Sequence, residues 1–247
     1  MKTDRLMAWL TLFRLPNLFT VPGDPLVGFF LAAGSGAEGR GGALFAVVVA
    51  ALCIYAAGLA WNDYYDVSED LRDRSERPLP SGAIALRTAL MTGCALALAG
   101  LAFCALVGTS TLGLGATLIS VVWGYTVYLK RFPVMGVLTL GACRGLSVLL
   151  GASVLSATPL SSGPVWWGAL GIAGYIVGVS QLARHEAEPR YRAFLPARIG
   201  FLISALIFLQ AALILTANAG RAGWLAACAV LLCWIPNRLL ARRFYAS

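Results

Sequence analysis

Apolar runs of about 20 residues recur along the whole sequence, and a helix of that length crosses a hydrocarbon core of roughly 30 Å. Of the 247 residues, 59% are hydrophobic and 12% are charged. That charged share is about half of what a typical soluble domain carries. Membrane-spanning strands would show alternating segments of about ten residues, and this sequence lacks that pattern. We therefore expect an all-α fold, a polytopic membrane helical bundle.

Reading the apolar runs between charged residues and Gly or Pro breaks predicts eight transmembrane helices. We expect them to form a single domain over residues 1–247. The last run is short for a span. The predicted spans are Leu15–Ala33, Ala43–Trp61, Thr88–Val107, Leu112–Leu129, Val134–Leu155, Val165–Ala183, Ala197–Ala217 and Gly223–Ile235.

The loops between these spans divide the basic residues unequally. Of the 19 Lys and Arg residues, 16 lie on one side, two (Arg40 and Arg221) lie on the other, and Arg144 lies within a span. Basic loops face the cytoplasm. We therefore expect both termini and the charged loops on the cytoplasmic face of an inner or plasma membrane. The net charge of +8 then reflects topology, and nucleic acid is not an expected partner.

Six of the eleven acidic residues lie in one stretch, 61–82, directly after the second apolar run. If that span continues as a helix, Asn62, Asp66 and Asp70 follow each other at every fourth residue and share one face. Like charges at this spacing repel, so we expect arginines or a hard cation such as Mg²⁺ on the stripe. The alternative is a solvated connector whose Asp and Arg residues neutralise each other.

The same stretch resembles a known family. From Asn62 the sequence reads N-D-x-x-D-x-x-x-D, and from Arg77 it reads RPLPSG. Together these segments resemble the first aspartate-rich motif of the UbiA superfamily of intramembrane prenyltransferases. The segment RLPNLFTVPGDPLVG from Arg14 resembles the family's first helix. The segment YTVYLKRFPVMG from Tyr125 resembles the part of the family that contains a diphosphate-binding lysine, here Lys130.

The resemblance implies helices around a central cavity, Mg²⁺ on two acidic motifs, and transfer from a prenyl diphosphate to a lipophilic, usually aromatic, acceptor. Asp66 and Asp70 are the candidate catalytic carboxylates. The expected Mg²⁺ ligands are Asn62, Asp66, Asp70, Glu186 and Glu188. The expected diphosphate contacts are Arg14, Arg72, Arg77, Lys130, Arg184 and Tyr128.

The second acidic motif is incomplete. A family pattern D-x-x-x-x-E-x-D places neutral Gln181 at the first position, Glu186 at the second and Glu188 at the third. Arg184 would then replace part of the metal charge. This departure resembles a divergent, EboC-like branch. It also leaves open a protein that binds or moves an isoprenoid or aromatic compound without catalysis, or a terpene cyclase on the same scaffold.

Two charged residues lie deep inside predicted spans. Asp24 and Arg144 lie roughly 14–17 Å from the cytoplasmic ends of their helices, at 1.5 Å per residue. Ionisable groups at that depth are costly and face a partner or a cavity. We expect them to line the acceptor pocket as a pair, with Arg144 as a catalytic-site residue that contacts an acidic or phenolic acceptor. The alternative is a buried ion pair without chemistry.

Overall fold

The computed structural model describes residues 2–33, 38–155, 161–186 and 194–241, with the backbone alone for 2–4. These ranges contain eleven α-helices, a 3-10 turn at Leu129–Arg131 and no strand. The helices are α1 (Lys2–Leu12), α2 (Leu15–Leu18), α3 (Gly23–Ala33), α4 (Gly41–Asp73), α5 (Leu86–Val107), α6 (Thr109–Val127), α7 (Pro133–Ala152), α8 (Gly163–Ala183), α9 (Leu195–Thr216), α10 (Gly220–Leu232) and α11 (Trp234–Ala241).

Within the described residues, seven helical segments are long and apolar enough to cross a membrane. Six are single helices, α4 to α9, and the seventh combines α10 and α11 over Gly220–Ala241. They correspond to seven of the eight predicted spans. The remaining predicted span, Leu15–Ala33, is broken into α2 and α3. The all-α fold and the integral, multi-pass character are therefore confirmed, with a broken first span.

The break in the first span lies between Phe19 and Pro22. Proline has no backbone N–H and disfavours helical geometry at the residue before it, so the helix stops there. The chain resumes as α3, whose Val27 and Phe29 are buried among α7, α8 and α9. α3 is thus an eleven-residue helix in the middle of the bundle.

Backbone carbonyls released by the break need hydrogen-bond donors, because the hydrocarbon core supplies none. The Pro16 carbonyl accepts a hydrogen bond from the backbone N–H of Phe19 at 3.2 Å and a second one from Asn237 Nδ2 of α11 at 2.8 Å. The Thr20 carbonyl accepts one from Arg144 Nη2 of α7 and one from Gln210 Nε2 of α9, each at 2.8 Å. Side chains from three other helices therefore hold the broken segment in place.

Close backbone contact fixes α3 against α7. A Cβ atom on Gly28 would lie 1.7 Å from the Val148 carbonyl oxygen, and one on Gly151 would lie 1.9 Å from the Pro25 carbonyl oxygen. Small residues at helix contacts let membrane helices approach this closely. The two glycines therefore position the α7 side chains relative to the broken span.

Helix α4 continues past Trp61 to Asp73, so the condition under which Asn62, Asp66 and Asp70 share one helix face is met. At 1.5 Å per residue its 33 residues are about 50 Å long, so its last turns extend beyond a hydrocarbon core of roughly 30 Å. The segment after α4 folds back, and its Leu79 and Ile84 pack with Leu12 of α1. We call this part of the bundle, with the last turns of α4 and the 3-10 turn, the charged end.

We predict that Gly151→Ala lowers the stability of the folded chain by about 1–3 kcal/mol, because the added methyl group overlaps the Pro25 carbonyl. Gly171→Ala on α8 is the matched control, since a Cβ there meets nothing within 4 Å. The apparent Tm of the two variants in the same detergent measures the difference. Equal melting temperatures would contradict the close α3–α7 contact.

Candidate functional site

A cavity of about 350 Å³ lies at the centre of the bundle, near the lower end of the range for small-molecule sites. Its walls come from the broken first span and from helices α4, α6, α7, α8 and α9. Ile54, Leu118, Val122, Ile203 and Leu206 make much of the lining apolar. The central cavity implied by the family resemblance is therefore present, and its wall suits a hydrocarbon chain.

Polar side chains lie where this cavity reaches the charged end. Arg14, Asn62, Tyr125 and Glu186 all line it there. Arg14 occupies the turn between α1 and α2 with φ 43°, in the left-handed region that few non-glycine residues adopt. Its Nη2 lies 3.9 Å from Asp63 Oδ1. We call this polar rim the mouth of the cavity.

The predicted oxygen stripe on α4 begins at the mouth with Asn62 and continues one turn further to Asp66, and an ammonium group lies on these two residues. Asn62 Nδ2 donates a hydrogen bond to Asp66 Oδ2 at 2.9 Å. Lys130 Nζ, from the 3-10 turn before α7, donates to Asn62 Oδ1 at 3.2 Å and also to Asp66 Oδ1. Two oxygen-bearing side chains therefore converge on one cation, which comes from 64 residues after Asp66 in the chain.

Asp70, the next residue of the stripe, has a different basic partner. Arg77 Nη1 donates to both carboxylate oxygens of Asp70, at 3.1 and 2.9 Å. Both side chains are mostly buried, and neither lines the cavity. This pair joins the segment after α4 to the last turns of that helix. It therefore stabilises the structure beside the mouth without lining the cavity.

Three predicted diphosphate contacts lie elsewhere. The Arg72 side chain is exposed, and its Nε donates to the Ser68 carbonyl one turn earlier at 3.3 Å. Tyr128 is 57% exposed and its ring contacts Phe132. Arg184 is exposed at the end of α8. The structure does not bring these three side chains to the cavity wall, and their diphosphate roles stay predictions.

The second acidic segment contributes one described carboxylate to the cavity. Glu186 lines the wall, whereas Gln181 is exposed and Ser180 lines the wall beside it. Glu188 lies outside the described residues. Across the part of the chain that the structure describes, no three His, Cys, Asp or Glu residues form a group able to hold a metal ion.

The donor set nevertheless fits one Mg²⁺. Magnesium commonly takes one or two protein carboxylates and completes its shell with waters and substrate phosphates. Asn62 Oδ1 and an Asp66 oxygen already converge on a cationic group, the Lys130 ammonium. A cation that replaces this ammonium would therefore find two oxygen donors in position.

The two charged residues inside the membrane meet at the opposite, inner end of the cavity. Arg144 Nε lies 2.8 Å from Asp24 Oδ2. Gln210 Nε2 of α9 donates to Asp24 Oδ1 at 2.7 Å. Sequence reasoning missed Gln210 and also Ser147, which lines the cavity one turn after Arg144. Gln210 was detectable as the lone amide within a largely apolar span.

Comparison with known proteins agrees with the fold described above. Residues 25–246 match the sequence profile of the UbiA prenyltransferase family. A digeranylgeranylglyceryl phosphate synthase of Thermococcus gammatolerans is 31% identical over 156 residues, which are 63% of this chain and 54% of that protein. The chain spans about half the length of the curated relatives it matches.

Solved structures share the fold. A structure concerned with digeranylgeranylglyceryl phosphate synthase in membranes has a TM-score of 0.65 at 21% identity, covering 97% of this chain and 88% of that one. A UbiA homologue from Archaeoglobus fulgidus, bound to DMAPP and Mg²⁺, has a TM-score of 0.57 at 18% identity, covering 96% and 88%. At these identities the likeness concerns the arrangement of helices.

We predict that Arg77→Gln lowers the apparent Tm by about 2–8 °C, because it leaves the mostly buried Asp70 carboxylate without its partner. Arg72→Gln is the matched control, since that exposed side chain contacts a single carbonyl of its own helix. Melting curves of both variants in one detergent measure the effect. A Tm change no larger in Arg77→Gln than in the control would contradict a supporting role for the pair.

Proposed function

The chain belongs to the UbiA prenyltransferase family, and from this membership we propose that it is a Mg²⁺-dependent prenyltransferase. It moves a prenyl group from a polyprenyl diphosphate to a small lipophilic or aromatic acceptor within the membrane. One observation carries the proposal: Asn62, at the mouth of an apolar cavity, and Asp66, one turn further along α4, together hold a cationic group. The likeness to a synthase of a prenylated lipid and to a homologue bound to DMAPP and Mg²⁺ supports it.

In the proposed complex the diphosphate lies at the mouth and the adjoining prenyl carbons lie against the apolar wall. Lys130 leaves Asp66 and binds the diphosphate with Arg14, which lines the mouth. Asn62 and Asp66 would hold Mg²⁺, and Glu186, which also lines the cavity, is a further candidate ligand. Asp70 and Glu188 stay predicted ligands of the metal site: Asp70 would first have to leave Arg77, and Glu188 lies outside the described residues. Bound Mg²⁺ would neutralise charge on the diphosphate and so make it a better leaving group.

The proposed reaction breaks the bond between the allylic carbon of the donor and the diphosphate oxygen, and the diphosphate leaves with the electron pair. The acceptor forms a bond to that carbon, and the proton it loses passes to the released diphosphate. Arg14 and Lys130 stabilise charge that develops on the leaving group. The apolar wall keeps water from the allylic cation. Tyr125 lies on the same wall, where an aromatic ring attracts a cation.

We propose that the charged end faces the cytoplasm, together with both termini, in an inner or plasma membrane. The uneven division of Lys and Arg, 16 against two, supports this orientation. We also propose that residues 1–247 form one UbiA-like domain, since the family match extends over residues 25–246. The EboC-like branch stays a prediction.

A second candidate function has an observation in its favour. Lys130 and Arg77 already neutralise Asp66 and Asp70, and Gln181 takes the place of an expected carboxylate. Such a mouth could hold an isoprenoid compound without a metal ion. The alternative is therefore a UbiA-like protein that binds or moves an isoprenoid or aromatic compound without catalysis.

We predict that the purified chain, given Mg²⁺ and geranylgeranyl diphosphate, releases diphosphate in the presence of aromatic acceptors. Asp66→Asn should lower the release rate about 100-fold or more, because it removes a charged ligand at the point where charge develops. Asp73→Asn is the matched control, since that carboxylate is exposed at the end of α4. Diphosphate release measured with and without a chelator tests the metal dependence.

Two outcomes of this assay would contradict parts of the proposal. No release under any condition, with geranylgeranyl diphosphate still bound, would favour the non-catalytic alternative. Release that persists in Asp66→Asn at the rate of the control variant would mean that the reaction uses a different site.

A further inference from the structure

A group of polar side chains lies at the inner end of the cavity, far from the mouth. Thr20, Asp24, Arg144 and Ser147 line it there, and Gln210 lies behind Asp24. Asp24 and Gln210 are 0% exposed, Ser147 is 5% and Arg144 is 8%. We call these five residues the inner cluster. The proposed donor site uses none of them.

The inner cluster contains polar atoms that the protein leaves without hydrogen-bond partners. Ser147 Oγ makes no hydrogen bond to any described residue, although it is buried and on the cavity wall. Arg144 uses Nε toward Asp24 and Nη2 toward Thr20, and its Nη1 makes no hydrogen bond within the described ranges. A buried polar group without a partner costs about 1–3 kcal/mol. A ligand oxygen would remove that cost.

Charge restricts what this ligand can be. Arg144 and Asp24 form a pair, so the inner cluster is neutral overall. Arg144 is 11 residues beyond Pro133, the start of α7, which places it about 16 Å along the helix. A carboxylate or phosphate bound there would add an uncompensated negative charge deep in the membrane, which is costly. A neutral oxygen can accept from Arg144 Nη1 and from Ser147 without that penalty.

We propose that the inner cluster is an acceptor subsite that binds a neutral hydroxyl, phenol or carbonyl group and rejects carboxylates and phosphates. The apolar wall around Ile54 and Val122 then holds the rest of the acceptor, with its reacting atom toward the mouth. The similar synthases are named for a phosphate-bearing product, and on this proposal the acceptor of this chain has no such negative charge. The proposal rests on the proposed function only where it names the ligand as the acceptor.

The test measures binding to the full chain in detergent, without donor and without Mg²⁺. The probes are 4-hydroxybenzyl alcohol, which is neutral, and 4-hydroxybenzoate, which has the same ring and an anionic group. We expect the wild-type chain to bind the neutral probe at least about tenfold more tightly. Because the assay requires no turnover, a chain that fails to release diphosphate can still pass or fail this test.

Ser147→Ala should weaken binding of the neutral probe about three- to tenfold, as expected for one hydrogen bond. Ser120→Ala is the matched control, since its hydroxyl bonds the Ala116 carbonyl at 2.9 Å and lies outside the cavity. Equal affinities in Ser147→Ala and Ser120→Ala would overturn the subsite. A wild-type preference for the anionic probe, or binding of neither probe, would overturn it as well.

The Asp24→Asn variant separates the proposed subsite from a purely structural ion pair, because only the subsite predicts a change in the ratio of the two probe affinities. It leaves the Arg144 charge uncompensated, so the affinity ratio should shift toward 4-hydroxybenzoate by about tenfold or more. An unchanged ratio in a folded Asp24→Asn variant would overturn the charge argument. If this variant fails to fold, the wild-type ratio and the Ser147→Ala affinity still decide the proposal.

Discussion

The hydrocarbon core offers no hydrogen bonds, and the rest of this structure depends on how the broken first span meets that constraint. The Thr20 carbonyl is held by Arg144 and Gln210, and the Pro16 carbonyl by Asn237. The same contacts place Arg144 and Asp24 on the cavity wall. Side chains that donate hydrogen bonds to the free backbone carbonyl at the break therefore also form the polar inner end of the cavity.

At the charged end of the bundle, carboxylates of α4 are paired with basic side chains. The carboxylates of α4 would repel one another if they stood alone. Asp63, Asp66 and Asp70 instead face basic groups, Arg14, Lys130 and Arg77, which come from three different segments. Arg14 lines the mouth and Lys130 donates to Asn62, which also lines it, so a diphosphate bound at the mouth could compete for both bases. A diphosphate with a bound Mg²⁺ would therefore exchange these ion pairs for equivalent ones: the Mg²⁺ would take the place of a basic group on the carboxylates, and the basic groups would bind the diphosphate.

Periodicity made the α4 stripe predictable, because helix spacing alone places Asn62 and Asp66 on one face. Hydropathy alone did not mark the break before Pro22, because the apolar run continues across it, although Pro22 is itself a helix-breaking signal in the sequence. It also could not tell which way Tyr128 and Arg184 face, because helix rotation depends on packing between distant segments. Gln210 shows the same limit: its role depends on a carbonyl 190 residues earlier in the chain.

The central claim is that Asn62 and Asp66 hold a substrate cation in place of Lys130. A structure of the full chain with Mg²⁺ and a non-hydrolysable geranylgeranyl diphosphate analogue tests it most directly. We predict Mg²⁺ at about 2.0–2.1 Å from an oxygen of Asn62 or Asp66, with Lys130 Nζ moved onto the diphosphate. A diphosphate bound elsewhere, with Lys130 still on Asp66, would contradict the account.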